Sequence, residues 1–147
     1  MSIRMFFAVC VFTACDGAGC ASSMPARAQA RGVVTTLAEG VAVARTTCAE
    51  EAQAQRSLPL ARRCLDAYKL ARASLIVASE SIDAWDSGSQ GRVACAIEQG
   101  ASAAREMSSA LAAYGADVPP ALVDSLTLAN ALGALQCSAP LDLGDVQ

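Results

Sequence analysis

No histidine occurs among the 147 residues of this chain. That absence removes the side chain that most often acts as a general base near neutral pH and that most often ligates metals. The cysteines also form no C-x-x-C pair of the kind found in zinc and iron–sulfur motifs. The sequence therefore predicts no catalytic residue, no metal site and no cofactor.

Aromatic residues and basic charge are also scarce. Aromatic side chains make up 4% of the chain, the net charge is -3, and the arginines are scattered among acidic residues. A nucleic-acid partner is not expected from such a charge distribution. Alanine is abundant instead, with 33 residues, and 54% of the chain is apolar. This composition predicts one compact domain of closely packed helices.

The N-terminus contains no apolar run long enough to span a bilayer, which takes roughly 20 residues. A run of about ten apolar residues, Met5 to Ala14, follows the positively charged Arg4 and has the features of a signal-peptide core. The run ends in Phe12, Thr13, Ala14 and Cys15. These four residues resemble the lipobox of bacterial lipoproteins, in which a large apolar residue and two small ones precede a cysteine.

The resemblance implies that the signal is cut before Cys15 and that the Cys15 thiol and the new terminus are acylated. Cys20 is a competing site, but Gly17 stands where the lipobox has a large residue. Cleavage after the A-x-A pattern at residues 26–28 would instead give a soluble secreted protein. As a further alternative, residues 1–14 would form a buried helix of a cytosolic protein.

A chain acylated at Cys15 would be held on a membrane, because multiple acyl chains anchor a protein stably. Asp16, directly after that cysteine, resembles the signal that retains lipoproteins at the inner membrane. The predicted organisation is a signal peptide over 1–14, a lipidated N-terminus and flexible tether over 15–32, a helical domain over 33–138, and an acidic tail over 139–147. The expected location is the periplasmic face of the cell envelope.

Three groups of helix-breaking residues divide the predicted domain into four helices. The breakers lie at 55–59, 86–91 and 115–120. The helices are predicted over about 33–55, 57–85 and 90–114, and from 119 or 120 to 136, with apolar residues recurring at steps of three and four. Ser57 is a candidate N-cap for the second helix, and the leucines of the fourth predict the most buried element. The expected fold is all-α, an alanine-rich four-helix up-down bundle.

Cys48, Cys64, Cys95 and Cys137 form an even set, which in an exported protein predicts disulfides. Residues equally distant from the turn of a helical hairpin lie side by side. The midpoint of 48 and 64 falls at residue 56, in the first breaker, and that of 95 and 137 at residue 116, in the third. We therefore predict the pairs Cys48–Cys64 and Cys95–Cys137. The alternative Cys64–Cys95 has its midpoint well before the nearest turn.

Other polar groups suggest weaker sites. The carboxylates of Glu80, Asp83 and Asp86 could face one way and hold a hard cation, but a solvated helix face beside a turn is the favoured explanation of the spacing. Lys69 is expected in an exposed cationic patch that could meet lipid headgroups or an acidic partner. The third helix carries two acids and two serines without an evident base to activate them, and two aromatic side chains are expected to anchor the core or a turn. The cationic patch consists of Lys69, Arg62, Arg63 and Arg72. The polar residues of the third helix are Glu98, Glu106, Ser108 and Ser109. The two aromatic anchors are Tyr68 and Trp85.

Together these features predict a membrane-anchored exported lipoprotein with a non-catalytic structural or protein-interaction role. An envelope protein is the expected partner besides the membrane itself. The alternatives are a periplasmic helical bundle that carries a ligand or metal, and a secreted inhibitor. The second alternative rests only on fold-level analogy with the secreted plant inhibitors of pectin-modifying enzymes, which are four-helix bundles with four cysteines.

Overall fold

The computed structural model describes residues 23–86 and 88–132. These residues form four α-helices and no strand: α1 (Ser23–Ala54), α2 (Leu58–Asp83), α3 (Ser89–Ala113) and α4 (Pro120–Leu132). The prediction of an all-helical fold is confirmed. The predicted signal peptide, Cys15, Cys137 and the predicted acidic tail lie outside the described residues, as does the predicted end of the fourth helix.

The first helix begins earlier than predicted. It starts at Ser23, so residues 23–32 are helical and do not belong to a flexible tether. Contacts with the far end of α2 explain the extension, because Arg27 donates a hydrogen bond to the Asp83 carbonyl at 3.1 Å and Arg31 forms an ion pair with the Asp83 carboxylate. The first helix therefore begins well before its predicted start at about residue 33.

The turn between α1 and α2 uses local backbone chemistry that the sequence signals. Arg56 adopts a positive φ of 49°, and the Ser57 N–H bonds back to the Ala52 carbonyl at 2.8 Å, which closes the end of α1. The Ser57 hydroxyl then accepts the Leu60 N–H, and Pro59 stands in the first turn of α2. The prediction that Ser57 is an N-cap is confirmed.

The core is built from the stripes that the periodicity predicts on the first three helices. All of the predicted stripe residues of α1 and α3 are buried, and so are those of α2 except Trp85, which is half-buried and packs against the core. The buried stripe residues are Val34, Leu37, Val41, Ala44 and Cys48; Leu60, Cys64, Ala67, Ala71, Leu75, Ala78 and Ile82; and Val93, Ile97, Ala101, Ala104 and Leu111.

The fourth helix is less buried than predicted. Leu122 is fully buried, but Val123 is 49% exposed and Leu128 is 47% exposed. The most enclosed element is α3, which is buried at every position from Val93 to Ile97. The leucines of α4 cover several sides of the helix, and only the side that faces α1 and α3 is covered within the described residues.

The four helices are arranged around the pair α1 and α3. Each of these two contacts all the other helices, whereas α2 and α4 do not meet within the described residues. Small residues set the closest approach, because a Cβ atom on Gly40 of α1 would lie 2.4 Å from the Ser125 Oγ and 2.8 Å from the Ala121 carbonyl oxygen of α4. The backbone of α1 therefore lies directly against α4.

Candidate functional site

A disulfide joins α1 to α2 close to their connecting turn. Cys48 and Cys64 lie on the core stripes of the two helices, with Cα atoms 6.2 Å apart, and both are buried. The predicted pairing of these two cysteines is confirmed. Because both sulfurs are oxidised, neither is a thiolate that could bind a metal.

The remaining cysteine of the described core is Cys95. It is buried near the start of α3 and is disulfide-bonded. Its predicted partner Cys137 lies outside the described residues, so the pair Cys95–Cys137 stays a prediction. The same holds for acylation of Cys15.

The acidic group at the end of α2 is divided among separate partners. The Asp83 carboxylate pairs with Arg31. The Asp86 carboxylate accepts the Ser89 N–H at 2.7 Å and the Gly88 N–H at 2.8 Å, at the start of α3. These two hydrogen bonds from backbone N–H groups lower the pKa of Asp86 below its usual value, and the one from Ser89 has the largest effect. Within the described ranges, no three acidic, cysteine or histidine side chains come together as a possible metal site.

The polar residues of α3 and the lysine of α2 lie on different surfaces. Glu98 forms an ion pair with Arg105 at 3.6 Å, whereas Glu106 lies beside α2, in a shallow depression that Arg63 and Asp66 also line. Ser108 is half-buried and Ser109 is exposed. Lys69 is exposed. The two α3 carboxylates thus do not converge on one site, and Lys69 is solvated rather than buried.

A groove lies between α1 and α2, and we call it the α1–α2 groove. Its volume is about 540 Å³. Apolar side chains of both helices form it, with small residues along α1, and polar residues stand at its rim. Its lining comprises Val34, Thr35, Ala38, Glu39, Val41, Ala42, Tyr68, Arg72, Leu75, Ile76 and Ser79. The groove was not predicted from the sequence, because it depends on which side chains two separate helices place opposite each other.

Tyr68 lines the groove and contacts Arg45, which lies beside the Cys48–Cys64 disulfide. The Arg45 guanidinium lies 4.6 Å from the centroid of the Tyr68 ring and donates a hydrogen bond to its hydroxyl at 3.4 Å. Such a cation–π contact contributes about 0.5–1 kcal/mol at an exposed site. The predicted role of Tyr68 as an anchor of the core or a turn is consistent with the packing of its ring against the core.

The exposed face of α2 beside the groove carries both large apolar and cationic side chains. Leu58, Leu65 and Ile76 are 61%, 46% and 44% exposed, and the cations between them are exposed as well. We call this set the outer row of α2; it consists of Leu58, Arg62, Leu65, Lys69, Arg72 and Ile76. The predicted exposure of the cationic patch is confirmed, although Arg63 lies apart from the row, on the side of α2 that faces α3.

A second depression, of about 590 Å³, lies at the turn between α2 and α3. Acidic and basic side chains both line it, including Glu80, Asp86 and Arg92. It adjoins residue 87, which is outside the described residues, and the Asp86 carboxylate is already engaged in the turn. We assign no ligand to it.

No family model, curated protein or solved structure matches this chain. None of the helices in the described parts of the chain has the length and apolar content needed to cross a membrane.

Proposed function

We propose that this chain is a small exported lipoprotein, anchored to a membrane through acylated Cys15, with a non-catalytic structural or protein-interaction role in the bacterial cell envelope. Signal cleavage before Cys15 and retention at the inner membrane through Asp16 are parts of the proposal. The helical body then begins only a few residues from the anchor, since α1 starts at Ser23. Short attachment of this kind keeps the body beside the bilayer.

The observation that carries the proposal is the Cys48–Cys64 disulfide within the core. Disulfides persist in exported proteins and are rare in the reducing cytosol. An oxidised body therefore supports the interpretation of residues 1–15 as an export signal ending in a lipobox. The two features lie in separate parts of the chain, so each is independent support for export.

The proposal includes an up-down bundle that a second disulfide, Cys95–Cys137, also links. Two contacts at opposite ends support antiparallel α1 and α2: Cys48 meets Cys64 near the turn, and Arg31 meets Asp83 far from it. The Gly100 position of α3 lies against Leu75 of α2, and the two residues lie at nearly equal distances along the chain from the turn between these helices, as expected for an antiparallel hairpin. A helical hairpin linked near one end and packed along its length is rigid enough to present one face to a partner.

A binding role is supported by the surface rather than by any reactive group. The α1–α2 groove and the outer row of α2 form one continuous apolar and cationic surface, because Arg72 and Ile76 belong to both. Large apolar side chains left exposed together commonly mark interaction sites. The carboxylates of Asp83 and Glu98 are paired with arginines in the body, which supports structural rather than catalytic roles for them.

The intact mass of the chain expressed in a bacterial host tests this proposal. We expect a mature form that begins at Cys15, carries added acyl mass, and gains roughly four mass units when two disulfides are reduced. Cys15→Ala should abolish processing and acylation, whereas the matched change Cys20→Ala should leave both intact. Full-length unprocessed chain with free thiols would contradict export and anchoring together.

A further inference from the structure

The outer row of α2 has the spacing of a helix-packing surface. Its members follow one another at alternating steps of four and three residues, from Leu58 to Ile76, which is the spacing of one face of a helix that packs on another. The row is about 27 Å long at ~1.5 Å per residue. Within the described residues it packs on no other helix, since all three of its large apolar side chains are exposed.

The cations of the row also have no partner among the described residues. Arg62, Lys69 and Arg72 are exposed and take part in none of the ion pairs or side-chain hydrogen bonds of the described chain. The chain as a whole has a net charge of -3, so the row concentrates positive charge on an acidic protein. Charge complementarity therefore favours an anionic partner.

The groove beside the row determines what shape of partner fits. Val34, Val41 and Leu75 are buried side chains that form its apolar floor. Ala38 and Ala42 line it on the α1 side, and their small side chains allow another backbone to approach. A concave apolar groove between two adjacent helices fits the ridge of side chains on a third helix better than it fits a flat bilayer surface.

A second copy of this chain does not fit the row. In an antiparallel pair of rows, Leu58 would lie opposite Ile76, but Arg62 would lie opposite Arg72 of the other copy. In a parallel pair, each cation would face its own counterpart. Like charges placed opposite each other are destabilising in both arrangements.

We propose that the outer row of α2 and the α1–α2 groove bind an acidic amphipathic helix of a partner protein. The apolar side chains of that helix, at i, i+3 or i+4, and i+7, would occupy the groove, and its Asp or Glu residues would pair with Arg62, Lys69 and Arg72. This deepens the proposed interaction role, and the location of the partner in the envelope rests on that proposed function. The chemistry of the surface does not depend on acylation.

The test uses the purified full-length chain and two labelled peptides of about 20 residues, a length that matches about 27 Å of helix. Both peptides carry the same leucine and alanine face; one has Glu at the flanking positions and the other has Lys. Fluorescence anisotropy should detect binding of the Glu peptide only, and added NaCl should weaken it. Binding of both peptides with equal affinity, or of neither, would overturn the proposal.

Matched variants locate the binding. The triple change R62Q/K69Q/R72Q should weaken binding of the Glu peptide on the order of tenfold, because it removes three exposed ion pairs that each contribute modestly. The control R56Q/R63Q/R92Q removes the same charge from exposed arginines outside the row and should change affinity by less than about twofold. Equal weakening by the two triples would show a general charge effect and refute the site.

A second pair of variants tests the apolar part. Leu65→Ala with Ile76→Ala should weaken binding, whereas Val123→Ala with Leu128→Ala, at comparably exposed positions of α4, should not. Vesicles of anionic phospholipid are the competing probe. If the vesicles bind through the three cations while the Glu peptide does not bind, the surface is a lipid contact and the proposal is wrong. Failure to find acyl mass on Cys15 would refute the proposed membrane anchor but would not change the interpretation of the peptide-binding results.

Discussion

Gly40→Ala is the substitution for which the structure makes the sharpest prediction. Gly40 is buried in α1, and a Cβ atom there would lie 2.4 Å from the Ser125 Oγ, 3.1 Å from the Ser125 Cβ and 2.8 Å from the Ala121 carbonyl oxygen. Real Cβ atoms do not approach other heavy atoms so closely. One of these obstacles is the backbone of α4, so the contact is relieved only if the two helices move apart.

Two opposing terms set the magnitude. Alanine is favoured over glycine within a helix by about 0.8–1 kcal/mol. Overpacking a closely packed interface typically costs about 1–3 kcal/mol, and separating α1 from α4 also loses dispersion contacts along their length. The packing cost exceeds the helix gain, so we expect Gly40→Ala to lower the free energy of unfolding by roughly 1–2 kcal/mol.

Gly32→Ala is the matched control in the same helix. Nothing lies within 4 Å of a Cβ atom at Gly32, so only the helix gain of about 0.8–1 kcal/mol applies. Urea unfolding followed by circular dichroism should show the two variants shifted in opposite directions from the native chain. The corresponding Tm changes are about 3–6 °C per kcal/mol for a domain of this size.

Whether Gly40→Ala lowers or raises the free energy of unfolding tests the close approach of α1 to α4. A variant as stable as Gly32→Ala would refute the close approach of α1 to α4. A double-mutant cycle with Ser125→Ala sharpens the test, because that change removes the nearest obstacle and also the hydrogen bond from the Ser125 hydroxyl to the Leu122 carbonyl. We expect Ser125→Ala to recover part, but not all, of the loss, since the Ala121 carbonyl remains.

Further predictions concern the disulfide and the turn before α3. Replacing Cys48 and Cys64 together by serine should lower the free energy of unfolding by about 3 kcal/mol on the chain-entropy model, because the disulfide joins residues separated by 16 positions in the sequence. Urea unfolding with and without reductant measures this change. A variant as stable as the oxidised chain would contradict a structural role for the disulfide. Asp86→Asn should make the free energy of unfolding depend less on pH in the acidic range. The pKa of Asp86 is lowered in the folded chain by the backbone N–H groups of Ser89 and Gly88, so its carboxylate stabilises the fold above the unfolded pKa of 3.8 and loses that contribution as pH falls through the lower folded value. Carboxyl NMR titration measures the pKa directly, and a value at or above 3.8 would show that the hydrogen bonds from Ser89 and Gly88 to the Asp86 carboxylate are not formed.

Local sequence signals predicted the core of the first three helices well. Their apolar residues recur at steps of three and four, and a stripe of this kind is buried whichever neighbour covers it. Ser57 was identifiable because its hydroxyl acts within one turn of its own helix. The Cys48–Cys64 pair could be predicted because both cysteines flank one short turn at equal distance, so helix geometry alone places them together.

Features that depend on contacts between distant residues were not predictable in the same way. Residues 23–32 contain Pro25 and Gly32 and looked like a tether, but Arg27 and Arg31 reach Asp83 at the end of α2. Burial of α4 was overestimated, because its leucines reveal apolarity but not which sides another helix covers. The position of Val123 and Leu128 on an uncovered side is set by how α4 lies against α1 and α3.

The same distant contacts explain why the α1–α2 groove has a fixed shape. The Cys48–Cys64 disulfide fastens the two helices near one end, and Arg27 and Arg31 connect them to Asp83 at the other. The ion pair is exposed and contributes at most about 1 kcal/mol, so the covalent link carries most of the constraint. Between these points the helices cannot separate without breaking core contacts along both stripes. A partner helix would therefore meet a groove already formed, and its binding energy would not be spent on ordering α1 and α2. Reducing the disulfide should accordingly weaken binding at the groove even where the chain remains folded, which would link the proposed interaction surface to the proposed export.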